Sequence, residues 1–211
     1  MTSVERLAED AWGLVAGAGA PPAGRVVLGL AGPPAAGKST LAAGLAGVLG
    51  ERAAYVPLDG FHLSNAQLER LGLRGRKGSE PSFDAWGYAA LLRRLVECPR
   101  EEVYVPDFDR VLDEPVAARH LVAPSARLVV TEGNYLAVDL PAWRAARALM
   151  AEVWYVEAAG ALRDVRLMER HTGFGRGPGA SREWIDSNDA PNAELVAATR
   201  GRCDRVVRLA V

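Results

Sequence analysis

Apolar residues in this chain recur with two periods, and the two alternate along its length. Val4, Leu7, Ala8, Ala11, Trp12 and Val15 fall on one face of a helix over residues 2–16, with Thr2 and Glu5 placed for a capping box. Residues 17–24 are a Gly/Ala/Pro linker. Residues 25–31 form a short apolar run of the kind that makes a buried parallel strand. Residues 38–49 return to helical spacing through Leu41, Leu45, Val48 and Leu49, and Gly50 ends them. Further strands are predicted at 53–58, 127–131, 153–156 and 206–209. Further helices are predicted at 84–96, from Pro141 to about 150, near 160–170 and at 191–202. Residues 60–82 are rich in Gly, Ser and charge and read as a surface excursion, while 102–105 and 120–122 read as short antiparallel strands outside the main sheet. Strands that alternate with helices predict an α/β fold: a three-layer αβα sandwich around a mostly parallel, doubly wound sheet. At 211 residues and 49% apolar content, one domain spanning 1–211 is expected.

Composition narrows the class. A formal net charge of −1 provides no basic stripe, so no nucleic-acid partner is expected. No apolar run approaches the length of a membrane span, and residues 1–5 lack the features of a signal peptide. Cys98 and Cys203 form no metal or redox motif and read as reduced thiols of a cytoplasmic protein.

The chain has two lysines beside twenty-three arginines, and one of them lies in Gly32-Pro33-Pro34-Ala35-Ala36-Gly37-Lys38-Ser39. This completes G-x-x-x-x-G-K-[ST], and strand, glycine loop and helix follow in the required order. Arg would not serve at 38, because the site needs a compact ammonium that lies across the β- and γ-phosphates as a point charge. The backbone amides of 34–39, at a helix N-terminus, would wrap the phosphates, and the Ser39 hydroxyl would coordinate Mg²⁺. Gly32, Pro34, Ala35, Ala36, Gly37, Lys38, Ser39 and Thr40 are therefore the candidate nucleotide cradle of a P-loop NTPase.

In open parallel sheets, ligands sit beyond the carboxyl ends of the strands. The strand over 53–58 delivers Asp59, which is placed to accept a hydroxyl proton and to help hold Mg²⁺ through water. The alternative role of Asp59 is that of a turn acid in Asp-Gly. The strand over 127–131 delivers Glu132, a candidate for the metal shell. Later, Arg163, Arg166 and Arg170 share one helical face, followed by His171 and then Arg176 among glycines. Arginines that swing over a transferring phosphoryl group neutralise its charge and exclude water, so residues 163–180 read as a lid, with Arg170 and Arg176 as its working cations.

Several motifs occur in order: GPPAAGKS (32–39), PLDGFH (57–62), RKGSEPSFD (76–84), VPDFDR (105–110), TEGNYL (131–136) and RLMER (166–170). With them the chain resembles the phosphoribulokinase, uridine kinase and type-I pantothenate kinase family of P-loop kinases over residues 25–210, most of all its short pantothenate-kinase-like branch. The resemblance implies ATP and Mg²⁺ as cofactors, with Asp59 as catalytic base and Lys38 and Ser39 on phosphate and metal. It also implies Glu132 beside the metal, Phe108, Asp109 and Arg110 in the acceptor pocket, and the late arginines in the lid. His62, Lys77, Asn134 and Arg166 complete the candidate substrate contacts. His62 either touches the acceptor or caps its own turn, and Lys77 either binds the acceptor or holds the loop. Uridine kinases usually carry Tyr where His62 stands, which counts against uridine as the acceptor. The family often forms homodimers. The implied activity is transfer of the γ-phosphate to a hydroxyl of a nucleoside, a sugar or a pantothenate-like alcohol. A GTPase-like switch would require Asn-Lys-x-Asp, which is absent, and the Asp84-Ala85-Trp86-Gly87 match lacks a preceding apolar strand. A non-catalytic ATP-binding relative is the other alternative, and Lys38, Asp59 and Glu132 all argue against it.

Overall fold

A computed structural model describes residues 3–17 and 24–209. Thr2, half of the expected capping box, and most of the linker over 17–24 lie outside the described residues. The first helix, α1 (Val4–Gly17), starts instead at Ser3, whose hydroxyl accepts from the Arg6 amide at 3.3 Å.

Five parallel strands form the sheet: β1 (Val26–Ala31), β2 (Ala53–Pro57), β5 (Leu128–Glu132), β6 (Glu152–Glu157) and β7 (Arg205–Arg208), in the order β2-β5-β1-β6-β7. Alternate residues of the central strands face opposite layers. Leu28, Leu30, Leu128, Val130 and Trp154 pack with Leu7, Leu41 and Leu45 of α1 and α2 (Lys38–Leu49). Val27, Val129 and Val153 pack on the other face with Tyr88, Leu92 and Trp143, from α4 (Ala85–Glu97) and α5 (Pro141–Arg147). This is the three-layer sandwich that the run lengths predict, with every pairing of the five-stranded sheet parallel and its central strands β1 and β5 buried on both faces.

Outside the sheet, β3 (Val103–Asp109) and β4 (Glu114–Val122) make an antiparallel hairpin. It is longer than the predicted fragments, because Pro106, Pro115 and the charged residues near its tip hide the strand pattern. The 60–82 excursion holds α3 (Asn65–Arg70) and is not all surface: Leu68, Ser79 and Ser82 are buried. Asp84 caps α4, accepting from the Gly87 amide at 2.8 Å, which gives the Asp-x-x-Gly match a structural origin.

The late region also differs from prediction. α6 (Gly160–Gly173) runs to the glycine hinge, and α7 (Pro178–Trp184) then continues through a π turn (Ile185–Asp189) into α8 (Ala190–Ala197). The sequence hides α7 behind a Gly/Pro-rich stretch, yet Pro178 stands in its first turn, where its missing N–H costs nothing. Among the described residues, no helix is long and apolar enough to cross a membrane.

One buried cation ties the sheet to its surroundings. Arg25, 4% exposed at the start of β1, donates to the carbonyls of Leu95, Cys98, Glu101, Val122, Ala123 and Ala126 at 2.8–3.5 Å. It thereby joins the end of α4, the approach to β3 and the end of β4. Truncation would remove a charged donor from each of these carbonyls, of which Cys98 and Ala123 keep a backbone amide, so Arg25→Leu is expected to cost about 3 kcal/mol or more. Urea unfolding would show this as a lower midpoint at an unchanged slope. Arg25→Lys should recover only a minor part, since an ammonium lacks the planar fork.

Candidate active site

The phosphate cradle follows from backbone conformation. Between β1 and α2, Gly32, Ala35 and Gly37 adopt φ values of +150°, +60° and +96°. A Cβ at Gly32 would stand 2.5 Å from the Val156 carbonyl oxygen, so only glycine lets the loop cross β6 here. Ala35 is held left-handed, a conformation that costs a non-glycine residue about 1 kcal/mol and turns successive amides toward one point. Lys38 is buried, and its Nζ donates to the Pro33 carbonyl at 3.0 Å and to Asn134 Oδ1 at 2.6 Å. Burial pulls its pKa down to about 8, against the attraction of Glu132 and Asp59. Ser39 and Thr40 are exposed to the cleft.

Glu132 ends β5 beside β1, in register with Leu30, and is itself buried. Its Oε1 accepts from Ser39 Oγ at 3.0 Å and from the Tyr55 hydroxyl at 2.9 Å. Burial raises its pKa, and the neighbouring Asp59 adds to the rise, while Lys38, Tyr55 and Ser39 oppose it. Asp59 follows β2, the next strand outward, in a short turn with Gly60. A Cβ at Gly60 would overlap the Pro106 carbonyl of β3, so the glycine allows the hairpin to lie directly against this turn.

The hairpin and the excursion supply the wall facing Asp59. His62 stacks on Phe83 with ring centroids 4.0 Å apart and on Phe108 at 4.8 Å. Its Nδ1 contacts the Asp59 carbonyl at 2.8 Å; because that oxygen only accepts, Nδ1 carries the proton and Nε2 is left as an acceptor. Burial lowers the His62 pKa. His62 therefore caps its turn and lines the cleft as well. Lys77 holds the loop: its Nζ binds Asn65 Oδ1 at 2.6 Å, the Asp113 carbonyl, and Asp113 Oδ2 at 3.1 Å, while lying 4.8 Å over the Phe108 ring. Arg74 completes this cluster with a 3.1 Å contact to Asp113. Arg110 Nη2 reaches Asp59 Oδ2 at 3.0 Å. Asp109, expected in the acceptor pocket, is turned to other work. Its Oδ1 accepts from the amides of Val111 and Leu112 at 2.9 and 3.0 Å, and its Oδ2 pairs with Arg119 at 3.3 Å, outside the cleft lining.

On the far side, Arg166 of α6 donates to the Ala35 carbonyl at 3.3 Å and so braces the phosphate loop. Arg170 lines the same cleft with its side chain open to it; desolvation by the cleft walls lowers its pKa, then Arg110 does, with Asp59, Asp189 and Glu132 pulling the other way. Arg163 shares the face in sequence but not the cleft, and its Nε is buried without a hydrogen-bond partner. Arg176 lies 4.2 Å over the Trp184 ring and 3.5 Å from His171 Nδ1, while His171 Nε2 meets Asp189 at 2.7 Å. Asn188 donates to the Lys77 carbonyl at 3.1 Å, which ties this region to the excursion.

The cleft these elements enclose has a volume of about 1850 Å³ and runs from the loop at 34–40 past Asp59 and Glu132 to Phe108 and Trp184. Sequence reasoning missed Tyr55, Arg74, Phe83, Asp113, Trp184, Asn188 and Asp189. The π turn that follows Trp184 and carries Asn188 and Asp189 is the kind of irregularity often found at functional sites, but only coordinates reveal it.

No protein-family model matches the chain. It is 34% identical over 183 residues to a Schizosaccharomyces pombe protein provisionally named uridine kinase C227.14, spanning 82% of this chain and 78% of the relative. It is 30% identical over 223 residues to a pantothenate kinase of Nocardioides sp., spanning 89% and 67%. The crystal structure of a Silicibacter sp. TM1040 protein, provisionally named a fructose transport system kinase, matches with a TM-score of 0.86 at 33% identity, covering 98% of this chain and 100% of that one. A parallel sheet carrying a complete phosphate loop, together with relatives of this closeness, places the chain in the uridine kinase and pantothenate kinase-like family of P-loop kinases.

Proposed function

We propose that the protein transfers the γ-phosphate of ATP to a hydroxyl of a small molecule (a nucleoside, a sugar or a pantothenate-like alcohol), with Asp59 as general base. The observation that carries this reading is the placement of Asp59. It stands at the end of β2, in the same cleft as Lys38, Glu132 and Arg170, with the aromatic and cationic wall of the hairpin on its other side. A hydroxyl held against that wall gives its proton to the Asp59 carboxylate as its oxygen bonds to phosphorus. The bond from phosphorus to the ADP oxygen breaks, and ADP leaves as the anion. Lys38 and Arg170 offset the charge on the transferring group, and the preorganised amides of 34–39 hold the phosphates in line.

The donor set suits Mg²⁺. The Ser39 hydroxyl and the Glu132 carboxylate are hard oxygen ligands 3.0 Å apart beside the cradle, and Asp59 is available through water. These residues would hold the ion, which would supply further neutralisation of phosphate charge when bound.

Two substitutions test the reading. Asp59→Asn is expected to lower ADP release with acceptor by about 1000-fold, within the range for loss of a general base, while calorimetry shows ATP affinity within about threefold of wild type. Near-normal turnover would remove Asp59 from the base role. Lys38→Ala is expected to weaken ATP binding by about 30-fold and to reduce turnover as well, since it deletes a charged contact to phosphate. Unchanged affinity and rate would overturn the assignment of the loop.

A further inference from the structure

Asp59 is engaged: the Arg110 guanidinium covers its Oδ2 at 3.0 Å. The charged hydrogen bond occupies one face of the carboxylate and fixes its direction, so a hydroxyl approaching Oδ2 from the hairpin side must compete with the guanidinium. The ion pair is also weak as structure. The two side chains are 45% and 35% exposed, where such a pair contributes at most about 1 kcal/mol. It is therefore built for exchange.

What can replace Asp59 on Arg110 is decided by its surroundings. Asp113 is held by Lys77 and Arg74, Asp109 by Arg119 and two turn amides, and Asp107 by His120 at 2.9 Å. None of these hairpin carboxylates is spare. Arg170 faces the same space, and its pKa is depressed in part by Arg110 itself. A neutral acceptor that dislodged Arg110 would leave two mutually repelling guanidiniums without a new counter-charge. The tip backbone is fixed by the Asp109 carboxylate, so the motion required is one of the Arg110 side chain alone.

We propose that Arg110 selects acceptors that carry an anionic oxygen group, a carboxylate or phosphate, a few atoms from the hydroxyl that is phosphorylated. The anion takes the guanidinium and so frees Asp59 for that hydroxyl. This rests on Asp59 acting as base.

The test is ADP release with matched acceptors that share a carbon skeleton: glycerol, glycerate and glycerol 3-phosphate; glucose, gluconate and glucose 6-phosphate; and panthenol with pantothenate. The expected result is a preference of about 30-fold or more in kcat/KM for an anionic member over its neutral counterpart, which Arg110→Met abolishes chiefly through KM. Whether carboxylate or phosphate wins identifies the anion. A second measurement needs no acceptor. Acetate or inorganic phosphate should stimulate basal ATP hydrolysis several-fold over chloride at equal ionic strength in wild type but not in Arg110→Met, whose basal rate starts higher. A neutral acceptor as the best substrate, or a discrimination and anion response unchanged in Arg110→Met, overturns the proposal. So does the absence of both effects in wild type. If Asp59→Asn is inactive while those results hold, the base survives and only the selection by Arg110 falls; an active Asp59→Asn removes the base itself.

Discussion

Two ionisable side chains, Lys38 at the start of α2 and Glu132 at the end of β5, are buried in one site, and the site is arranged around making that tolerable. Burial shifts each toward its neutral form, Lys38 downward and Glu132 upward. Unpartnered, either would cost several kcal/mol. The Pro33 carbonyl and Asn134 Oδ1 accept hydrogen bonds from the ammonium, and Ser39 and Tyr55 donate to the carboxylate. Each partner comes from a different place: the loop after β1, the segment after β5, the start of α2, and β2. The order β2-β5-β1 is what makes all four available at once.

Beyond that polar centre the molecule is built in two manners. The phosphate-loop side of the cleft rests on the sheet, where backbone amides and close strand contact fix the geometry. The opposite side rests on elements outside the sheet: a hairpin, a short helical excursion, and α6 to α8. These hold one another by side chains, through Lys77 with Asp113 and Asn65, Asn188 with the Lys77 carbonyl, and Arg176 on Trp184. Most of these contacts are polar and partly exposed, so the acceptor wall has a smaller share of the buried apolar contact that makes the sheet rigid.

What the sequence revealed and what it hid follow the same division. Buried parallel strands read as unbroken apolar runs, so residues 25–31, 53–58 and 127–131 were visible, and with them the acids that follow. The phosphate loop was visible because its glycines answer a backbone requirement that no other residue meets. Tyr55 was hidden, since a tyrosine in a strand looks like packing until its hydroxyl is seen on Glu132. Trp184, Asn188 and Asp189 were hidden behind a helix interrupted by a π turn. The family resemblance implied Asp109 as a pocket residue through its motif, but turn amides and Arg119 claim its carboxylate. Local rules cannot tell which of several clustered acids the turn will use.

The bare α-carbon of Gly60 has a consequence for how this site can diversify. Because the turn carrying Asp59 touches the backbone of β3 at Pro106, Asp59 and the hairpin wall keep a common position and cannot drift apart by small steps. A descendant of this protein with a larger or smaller cleft cannot simply slide the hairpin outward, since that would open a gap beneath Asp59. Its room for change lies in the side chains that project past the contact, at 108, 110 and 113, and in the length of the tip. The kinase half of the cleft is thereby insulated from the part free to vary.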